Sequence, residues 1–335
     1  MVADLRARCL KVLERSDFSG KLLLTGDFII DRYIFGSVDR ISPEAPVPIL
    51  NYSSSEKKLG GAANVLANLS QLKNGSAFDL AAFSKIGCNA EEAWLASEVK
   101  KLCKRDYLCE LGEYSSPVKS RYIAKPFHQI LRLDQEKKNT IPFEASFLEE
   151  LLLKEKDFDC FVIQDYVKGA LLDSELLQIM DRLKSTPKKI IIDPHVRRDP
   201  SLYKGATLLL PNLAEARFLL KNNFENTDQA SEKAIVELKE NFDLQACLLT
   251  RASAGATLID KKNVITHIPA LEKKAVFDVT GAGDSVLAAL AFFWSSGVDL
   301  LTSACLAMAA ASHAVSQVGC ASLERQQLQK IIEDL

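Results

Sequence analysis

Hydrophobic positions along this chain fall into short, continuous runs that alternate with longer segments of helical period. The short runs are apolar, often β-branched and of strand length, and they cover residues 21–27, 79–87, 159–165, 188–193, 206–210 and 246–250. Strands buried on both faces of a parallel sheet have this composition. The segments 60–72 and 90–102 instead space their apolar residues as helices do. Together the patterns predict a doubly wound α/β/α sandwich with a mostly parallel central sheet.

Two stretches follow neither pattern. The first, about 32–54, carries three prolines, and the second, about 116–136, alternates in polarity and has a predicted turn at Lys125–Pro126. Both are predicted to form short strands outside the main layer, which together make a small β flap, or lid, over the ligand site. Because no internal repeat or interdomain linker is recognisable, residues 1–335 are predicted to form a single domain.

Composition and charge narrow the range of partners. Hydrophobic residues make up 47% and charged residues 26% of the 335 positions, an ordinary globular balance. The net charge of −2 argues against a general nucleic-acid binder, which needs many phosphate-neutralising cations. It leaves a small anionic substrate open, since a few well-placed cations bind one.

The sequence also predicts a cytoplasmic protein without a membrane segment. No apolar stretch approaches the roughly 20 residues of a membrane span. The amino-terminal residues mix charges every few positions, unlike a secretory signal. The eight cysteines contain no C-x-x-C pair, so they are predicted to be reduced and to serve as small hydrophobic residues.

The stretch Gly281-Ala282-Gly283-Asp284 places small residues and one acid at the start of a long apolar helical segment. Glycines let backbone N–H groups approach a ligand closely, and a helix N-terminus adds unpaired donors. Such a site stabilises a phosphoryl group during transfer, and a neighbouring carboxylate can take the proton of the attacking hydroxyl. The alternative is a structural turn with Asp284 in the first helical turn.

Longer motifs resemble a known family. "DVTGAGDSVLAAL" and "GGAANVLANLSQL" resemble the carboxyl-terminal and amino-terminal signatures of the ribokinase-like (PfkB) sugar kinases. "GDFIIDRYIFGSVDRISPEAPVPIL", "DYVKGAL" and "GATLLLPNLAE" resemble, more specifically, the D-glycero-β-D-manno-heptose 7-phosphate kinases. The resemblance runs in the same order from about Lys21 to Gly319.

This resemblance implies a ribokinase-like fold and an activity that depends on ATP and Mg²⁺. The expected reaction phosphorylates the anomeric (C1) hydroxyl of D-glycero-D-manno-heptose 7-phosphate to the 1,7-bisphosphate, a step toward the ADP-heptose of the lipopolysaccharide core. Some relatives continue into a cytidylyltransferase-like domain. Because this sequence has no H-x-G-H motif, the stand-alone kinase is expected. A homodimer formed through the flap is a further expectation.

The resemblance assigns the reaction centre to two motifs. Asp284 is the expected general base, and Gly281, Ala282 and Gly283 supply the anion hole. Asn212 and Glu215 match the family's N-x-x-E motif, which organises Mg²⁺ and the phosphates, with Mg²⁺ held through water. An alternative for this pair is a helix capping box, and both roles are compatible.

The expected ligand contacts come from strand ends and from the flap. Those bordering the sugar are Asp27, Asp31, Gly60, Gly61, Asn64 and Asp165. Cations for the sugar phosphate are Lys119, Arg121, Arg132 and Lys168, and nucleotide contacts are Thr250, Arg251 and Gly255. The alternatives are tight helix–sheet packing for the glycines and solvated surface charge for each cation.

Three departures from the family pattern leave other functions open. His195 stands where relatives carry Lys after the strand, Met308 replaces an Asn near the adenine, and "TRASAG" lacks an acidic residue. A PfkB kinase for another phosphosugar or a nucleoside is therefore one alternative. A ligand-binding regulator that keeps the fold without catalysis is another.

Overall fold

A computed structural model of the protein describes residues 3–124, 128–271, 281–316 and 323–334. The strands of the described chain are β1 Lys21–Gly26, β2 Phe28–Ile41, β3 Pro48–Gly61, β4 Asp79–Ile86, β5 Arg105–Glu110, β6 Val118–Ala124, β7 His128–Gln135, β8 Cys160–Gln164, β9 Lys189–Asp193, β10 Leu208–Leu209, β11 Ala246–Thr250, β12 Ala256–Ile259 and β13 Ile265–Ile268. The helices are α1 Ala3–Leu13, α2 Ala62–Leu72, α3 Ala90–Leu102, α4 Ala145–Leu153, α5 Asp173–Leu183, α6 Leu213–Leu220, α7 Asp228–Asn241, α8 Ala282–Ser295, α9 Leu300–Val315 and α10 Arg325–Glu333.

The main sheet has the strand order β13-β12-β11-β10-β9-β8-β1-β4-β5 among the described residues. Every pair from β11 to β5 is parallel, while β12 and β13 add two antiparallel strands at one edge. The prediction of a mostly parallel sheet is therefore confirmed. The direction in which successive strands are added reverses between β1 and β8, so the carboxyl ends of these two strands open a crevice where ligands bind in such sheets.

Both faces of this sheet are covered by apolar layers. In β1, Leu22 and Leu24 face the layer that contains α2, α8 and α9, whereas Leu23 faces the layer that contains α5 and α7. Full burial of such a side chain stabilises the fold by roughly 1.5–3 kcal/mol. Since both faces of the sheet are shielded from water, its strands are continuous apolar runs, and their positions could therefore be predicted from sequence.

The helix α3 shows how local sequence sets an element boundary. It begins at Ala90 because the side chain of Asn89 accepts hydrogen bonds from the backbone N–H groups of Glu91 and Glu92. The predicted range 90–102 is confirmed. Within the described ranges, none of the helices combines the length and apolar character needed to span a bilayer.

The flap is a second, four-stranded sheet with the order β3-β2-β6-β7. Strands β2 and β3 form an antiparallel hairpin, β2 pairs parallel with β6, and β6 pairs antiparallel with β7. The prediction that two separate stretches join in one small sheet is confirmed.

The flap strands are longer than predicted. β2 and β3 each have 14 residues, so the first flap segment starts before 32 and ends after 54. Gly60 and Gly61 close β3 instead of opening the following helix, which starts at Ala62. The predicted turn at Lys125–Pro126 falls outside the described residues, and the single domain over 1–335 stays a prediction.

Candidate active site

The N-terminus of α8 is the centre of the candidate site. Gly281 adopts a left-handed conformation with φ 76°, and the first helical bond runs from Ser285 N to Gly281 O at 3.0 Å. The N–H groups of Ala282, Gly283 and Asp284 thus precede the helical ladder, and no described side chain caps them. A Cβ added to Gly283 would meet nothing within 4 Å, so this backbone faces open space. The arrangement suits an anion.

A cavity of about 730 Å³ opens beside this helix start and is called the main cavity below. Its size is typical of small-molecule sites. Val286 of α8 and Met308 of α9 give it an apolar wall, and Asn212, Thr250 and Ser253 give it a polar end. Its other lining residues are Leu213, Ala214, Ala252, Gly255, Ala270, Leu271, Ala282, Gly283, Ala311, Ser312 and Val315. An elongated ligand with an apolar and an anionic end fits this distribution.

Gly255 is required by the backbone that bounds the main cavity. Its φ is 83°, and a Cβ there would lie 2.1 Å from the carbonyl oxygen of Ile268. Arg251, in contrast, turns away from the cavity. Its guanidinium is buried and donates to Asp228 at 2.6 Å and to Asn226 at 3.0 Å. These contacts favour a structural role for Arg251, and its expected contact with the nucleotide stays a prediction.

The Asp284 carboxylate is 4% exposed and points away from the main cavity toward the end of β8. Oδ1 accepts hydrogen bonds from Gln164 Nε2 at 3.2 Å and from the Tyr166 hydroxyl at 3.0 Å. Oδ2 accepts one from Asn64 Nδ2 at 2.9 Å. The predicted residues Asn64 and Asp284 therefore meet, 220 positions apart in the chain.

Burial raises the pKa of Asp284 to about 6, even though hydrogen bonds from Asn64 and Tyr166 lower it. The nearby charge of Asp31 raises this pKa further, and that of Lys119 lowers it. A carboxyl group with such a pKa is ionised at neutral pH and takes up a proton more readily than an exposed aspartate. These are the properties of a general base.

Asn212 and Glu215 form the capping box of α6. Asn212 Oδ1 accepts from the N–H groups of Ala214 at 2.8 Å and Glu215 at 3.0 Å, while Glu215 Oε2 accepts from Asn212 N at 2.8 Å. Both acceptor positions of Asn212 Oδ1 are thus used. Asn212 is left with its Nδ2 donor for a ligand, which suits a phosphate oxygen and not a metal ion.

Asp193, at the end of β9, and Glu215, in the first turn of α6, are two acidic side chains that could bind a cation. Burial raises the pKa of Glu215 to about 7. Burial and the nearby charge of Glu215 raise the pKa of Asp193 well above its usual range. Among the described residues no group of three or more acidic, histidine or cysteine side chains is arranged to hold a metal. Mg²⁺ usually takes one or two carboxylates and keeps several waters, so Asp193 and Glu215 fit it.

The flap contributes its charges on the side facing Asp284. Asp31 and Arg121 form a buried ion pair, and Lys119 Nζ lies 5.3 Å from the centre of the Tyr166 ring. Gly60 lets the Asp31 carboxylate lie close to the β3 backbone, because a Cβ at position 60 would lie 2.3 Å from Asp31 Oδ2. Gly61, with φ 56°, lies against the Asp27 backbone.

Two predicted sugar contacts have structural roles instead. Asp27 accepts hydrogen bonds from the backbone N–H groups of Tyr166, Lys168 and Ala170 at 3.0, 3.1 and 2.9 Å. Asp165 accepts two from Arg198 at 2.7 and 2.8 Å. Both carboxylates are buried and hold the segment that follows β8, so the structure does not direct them to a ligand.

The remaining cations lie at the margin of the site. Arg132 is exposed on β7 and pairs with Asp134 at 2.9 Å, and Lys168 Nζ pairs with Glu136 at 2.5 Å. His195 Nδ1 accepts from Arg197 N at 3.1 Å, and burial lowers its pKa. A neutral imidazole at this strand end carries no charge toward a phosphate.

Sequence reasoning missed Gln164, Tyr166 and Arg198. Gln164 ends β8, and Tyr166 follows it by two residues; both donate to Asp284 Oδ1, whereas Asp165, between them, binds Arg198. The prediction selected Asp165 as the acid at the strand end.

Comparisons with known proteins agree with this geometry. Residues 134–327 match the family described as pfkB family carbohydrate kinase. The chain is 38% identical over 304 residues to the bifunctional protein HldE of Campylobacter jejuni subsp. doylei, covering 90% of this chain and 62% of the relative. It is 35% identical over 314 residues to the bifunctional protein HldE of Shewanella piezotolerans, covering 94% and 64%. The chain thus spans less than two thirds of the length of these relatives.

Solved structures share the fold. Phosphofructokinase-2 from Escherichia coli, in complex with substrates and products, superposes with a TM-score of 0.77 at 17% identity, covering 94% of this chain and 99% of the other. Ribokinase from Arabidopsis thaliana, complexed with ribose and ATP, gives a TM-score of 0.73 at 17% identity with the same coverage. At this identity the likeness establishes the ribokinase-like fold.

Proposed function

The chain belongs to the pfkB family of carbohydrate kinases, and from this membership we propose that it phosphorylates the C1 hydroxyl of D-glycero-D-manno-heptose 7-phosphate. ATP is the proposed donor, and the product is the 1,7-bisphosphate. The heptose motifs in the sequence and the 33–38% identity to HldE proteins support the choice of sugar. The proposed location is the cytoplasm, where ATP is available.

One observation carries the proposal. Asp284 is a buried acid with a raised pKa, and it directly follows the backbone donors of Ala282 and Gly283. Those donors face the main cavity, whereas the carboxylate faces Asn64, Tyr166 and the charged side of the flap. A reaction at this point would join a donor in the main cavity to an acceptor under the flap.

The proposed step is a direct transfer of the γ-phosphoryl group from ATP to the sugar. The C1 oxygen of the sugar attacks the γ-phosphorus of ATP, the bond from that phosphorus to the bridging oxygen breaks, and ADP leaves. Asp284 takes the hydroxyl proton, and the N–H groups of Ala282 and Gly283 stabilise the charge of the transferring group. Asp193 and Glu215 would hold Mg²⁺, which would supply positive charge to the phosphates. Positioning of the two substrates supplies most of the acceleration.

The sugar phosphate needs a cation, and Arg121 and Lys119 are the proposed ones. Arg offers a planar fork that suits phosphate oxygens. Arg121 is buried beside Asp31, which offsets its charge, so Lys119 would supply the net positive charge for the phosphate. Arg132 and Lys168 are proposed to act from the rim.

A panel of sugars tests the substrate. The purified chain is incubated with ATP, Mg²⁺ and either heptose 7-phosphate, the unphosphorylated heptose, other hexose phosphates or nucleosides, and products are identified by phosphorus NMR. Heptose 7-phosphate is expected to give the highest kcat/KM and a new anomeric phosphate signal. Turnover confined to unphosphorylated sugars or nucleosides would replace the proposed substrate. Ligand binding without turnover of any acceptor would favour a regulator.

We also propose a homodimer formed through the outer side of the flap. Tyr52 on β3 and Leu131 and Leu133 on β7, the two edge strands of the flap, are exposed by 67, 54 and 45%. Burial of these side chains against a second copy would stabilise the dimer. Light scattering of the native chain and of Leu131→Glu should give a dimer and a monomer, respectively; a native monomer would refute this.

A further inference from the structure

The two oxygens of the Asp284 carboxylate differ in their hydrogen bonding. Oδ1 accepts from both Gln164 and Tyr166, whereas Oδ2 accepts from Asn64 among the described residues. A carboxylate oxygen has two lone pairs in its plane. Oδ1 is therefore fully used by the protein, and Oδ2 keeps one acceptor position.

We propose that Tyr166 is a positioning residue for phosphoryl transfer, whose hydroxyl, together with Gln164, reserves Oδ2 of Asp284 as the atom that receives the sugar proton. This inference rests on the proposed function of Asp284 as the base. Without the Tyr166 hydroxyl, Oδ1 would also accept a donor, and the carboxylate could bind the acceptor in a second orientation. Small errors of orientation at this step slow a reaction that depends on alignment.

Tyr166 is held firmly enough for this role. Its backbone N–H donates to Asp27 Oδ2 at 3.0 Å, and Asp27 also binds the N–H groups of Lys168 and Ala170. Val167, the next residue, is fixed with φ 55° and donates to Asp165 Oδ1 at 3.0 Å. The buried Asp27 and Asp165, which the sequence predicted as sugar contacts, thus position Tyr166 instead.

Tyr166 also links the base to the flap. The ammonium group of Lys119, on β6, lies 5.3 Å from the centre of its ring, a distance at which a cation and an aromatic face attract each other. Burial, followed by the charge of Asp284, raises the pKa of Tyr166 well above its usual range. Its hydroxyl therefore stays protonated and acts as a donor to the carboxylate.

Other charged groups near the Asp284 carboxylate also influence its pKa. Asp31 faces it from β2, Lys119 from β6 and Asp193 from the end of β9. Glu215 of α6 interacts with Asp193, and Arg121 neutralises Asp31. None of these groups is changed when Tyr166 loses only its hydroxyl.

Tyr166→Phe tests the proposal through the pH profile of kcat/KM for the phosphosugar. Since the hydroxyl stabilises the carboxylate, its removal should shift the acid limb upward by about one pH unit. The plateau kcat should fall by about tenfold at most, as for the loss of one hydrogen bond. The KM for ATP should stay within about twofold, because the main cavity does not include Tyr166.

Tyr203→Phe is the matched control. The Tyr203 hydroxyl is also buried and donates to an aspartate, Asp165 Oδ2, at 2.8 Å. The same deletion there is expected to lower stability and to leave the acid limb in place. An unshifted limb in Tyr166→Phe, or an equal shift in both variants, would overturn the inference.

Two measurements separate this inference from the proposed function. Carbon NMR of the Asp284 carboxyl reports its titration in wild type and Tyr166→Phe whether or not any sugar is turned over. A shift in that titration without kinase activity would reject the proposed substrate and retain the Tyr166 contact. A crystal of the complex with heptose 7-phosphate and a non-hydrolysable ATP analogue should place the acceptor oxygen at Oδ2. Its binding at Oδ1, with Tyr166 displaced, would refute the positioning role.

Discussion

Two aspartates near the end of β8 make an instructive comparison. Asp165 and Asp284 are each 4% exposed, and each accepts several hydrogen bonds. The donors to Asp165 include the guanidinium of Arg198, a full positive charge. The donors to Asp284 are the neutral side chains of Gln164, Tyr166 and Asn64.

The difference in donors separates a structural acid from a reactive one. The Arg198 guanidinium binds both oxygens of Asp165 and neutralises its charge, and the Val167 N–H and the Tyr203 hydroxyl occupy the other acceptor positions, so none is left for a substrate. Neutral donors orient Asp284 but leave its charge uncompensated in a buried place, which raises its pKa to about 6. Burial without a bound cation does not by itself identify a base, because Asp27 is also buried among neutral donors; the place of Asp284 beside the backbone donors of α8 distinguishes it.

Replacing each acid in turn gives the largest expected effects. Asp284→Asn should lower kcat by about 10²- to 10⁴-fold, the range for removing a general base, with substrate binding largely retained. Steady-state kinetics and calorimetric titration with the phosphosugar measure the two quantities. Turnover equal to that of the wild type would show that Asp284 is not the base and does not differ functionally from Asp165.

Asp165→Asn should affect stability instead of chemistry. Removing one partner of a buried ion pair leaves an uncompensated charge and costs about 3 kcal/mol in the free energy of unfolding. Urea denaturation measures this loss, and kcat of the folded fraction should fall far less than in Asp284→Asn. Asp173→Asn is the control, because Asp173 contacts the same guanidinium but is 68% exposed, and its loss should cost less than about 1 kcal/mol. Equal losses of unfolding free energy in Asp165→Asn and Asp173→Asn would show that burial of the Asp165–Arg198 pair is unimportant.

The pair Asp31–Arg121 sharpens the comparison because it combines a buried cation with a place in the site. Arg121→Ala should raise the KM for the phosphosugar about tenfold and that for ATP much less, as expected for one charged hydrogen bond. Arg132→Ala should raise the KM for the phosphosugar less than Arg121→Ala does, since Arg132 lies directly opposite Arg121 on β7 but is exposed at the rim. Equal changes in both KM values, or none, would make Arg121 purely structural.

The smallest expected effect is on the pH profile. Because burial raises the pKa of Asp284 to about 6, the base is protonated and lost as pH falls through that value. The acid limb of kcat/KM should therefore lie near pH 6, well above the range of an exposed aspartate. Glu215→Gln should keep this limb if Asp284 causes it. A limb near the ordinary aspartate value would mean that the carboxylate is more solvated than the structure indicates.

Much of the site followed from local sequence. Gly281 to Asp284 were identified as a helix start with backbone donors, and Asn212 with Glu215 as a capping box, because each motif acts within a few residues of itself. The parallel sheet followed from its apolar runs, since strands buried on both faces need no polar alternation. The flap was also predicted, because its two stretches show neither the continuous apolar runs of buried strands nor the spacing of a helix.

Tertiary structure alone decided which acids are neutralised. Arg198 reaches Asp165 across 33 positions, and Asn64 reaches Asp284 across 220, and no local period records such pairs. The contacts of Arg251 with Asp228 and Asn226 could not be predicted from the sequence for the same reason. The sequence determined where donors and acids are available, and the packing of distant side chains determined which carboxylate remains reactive.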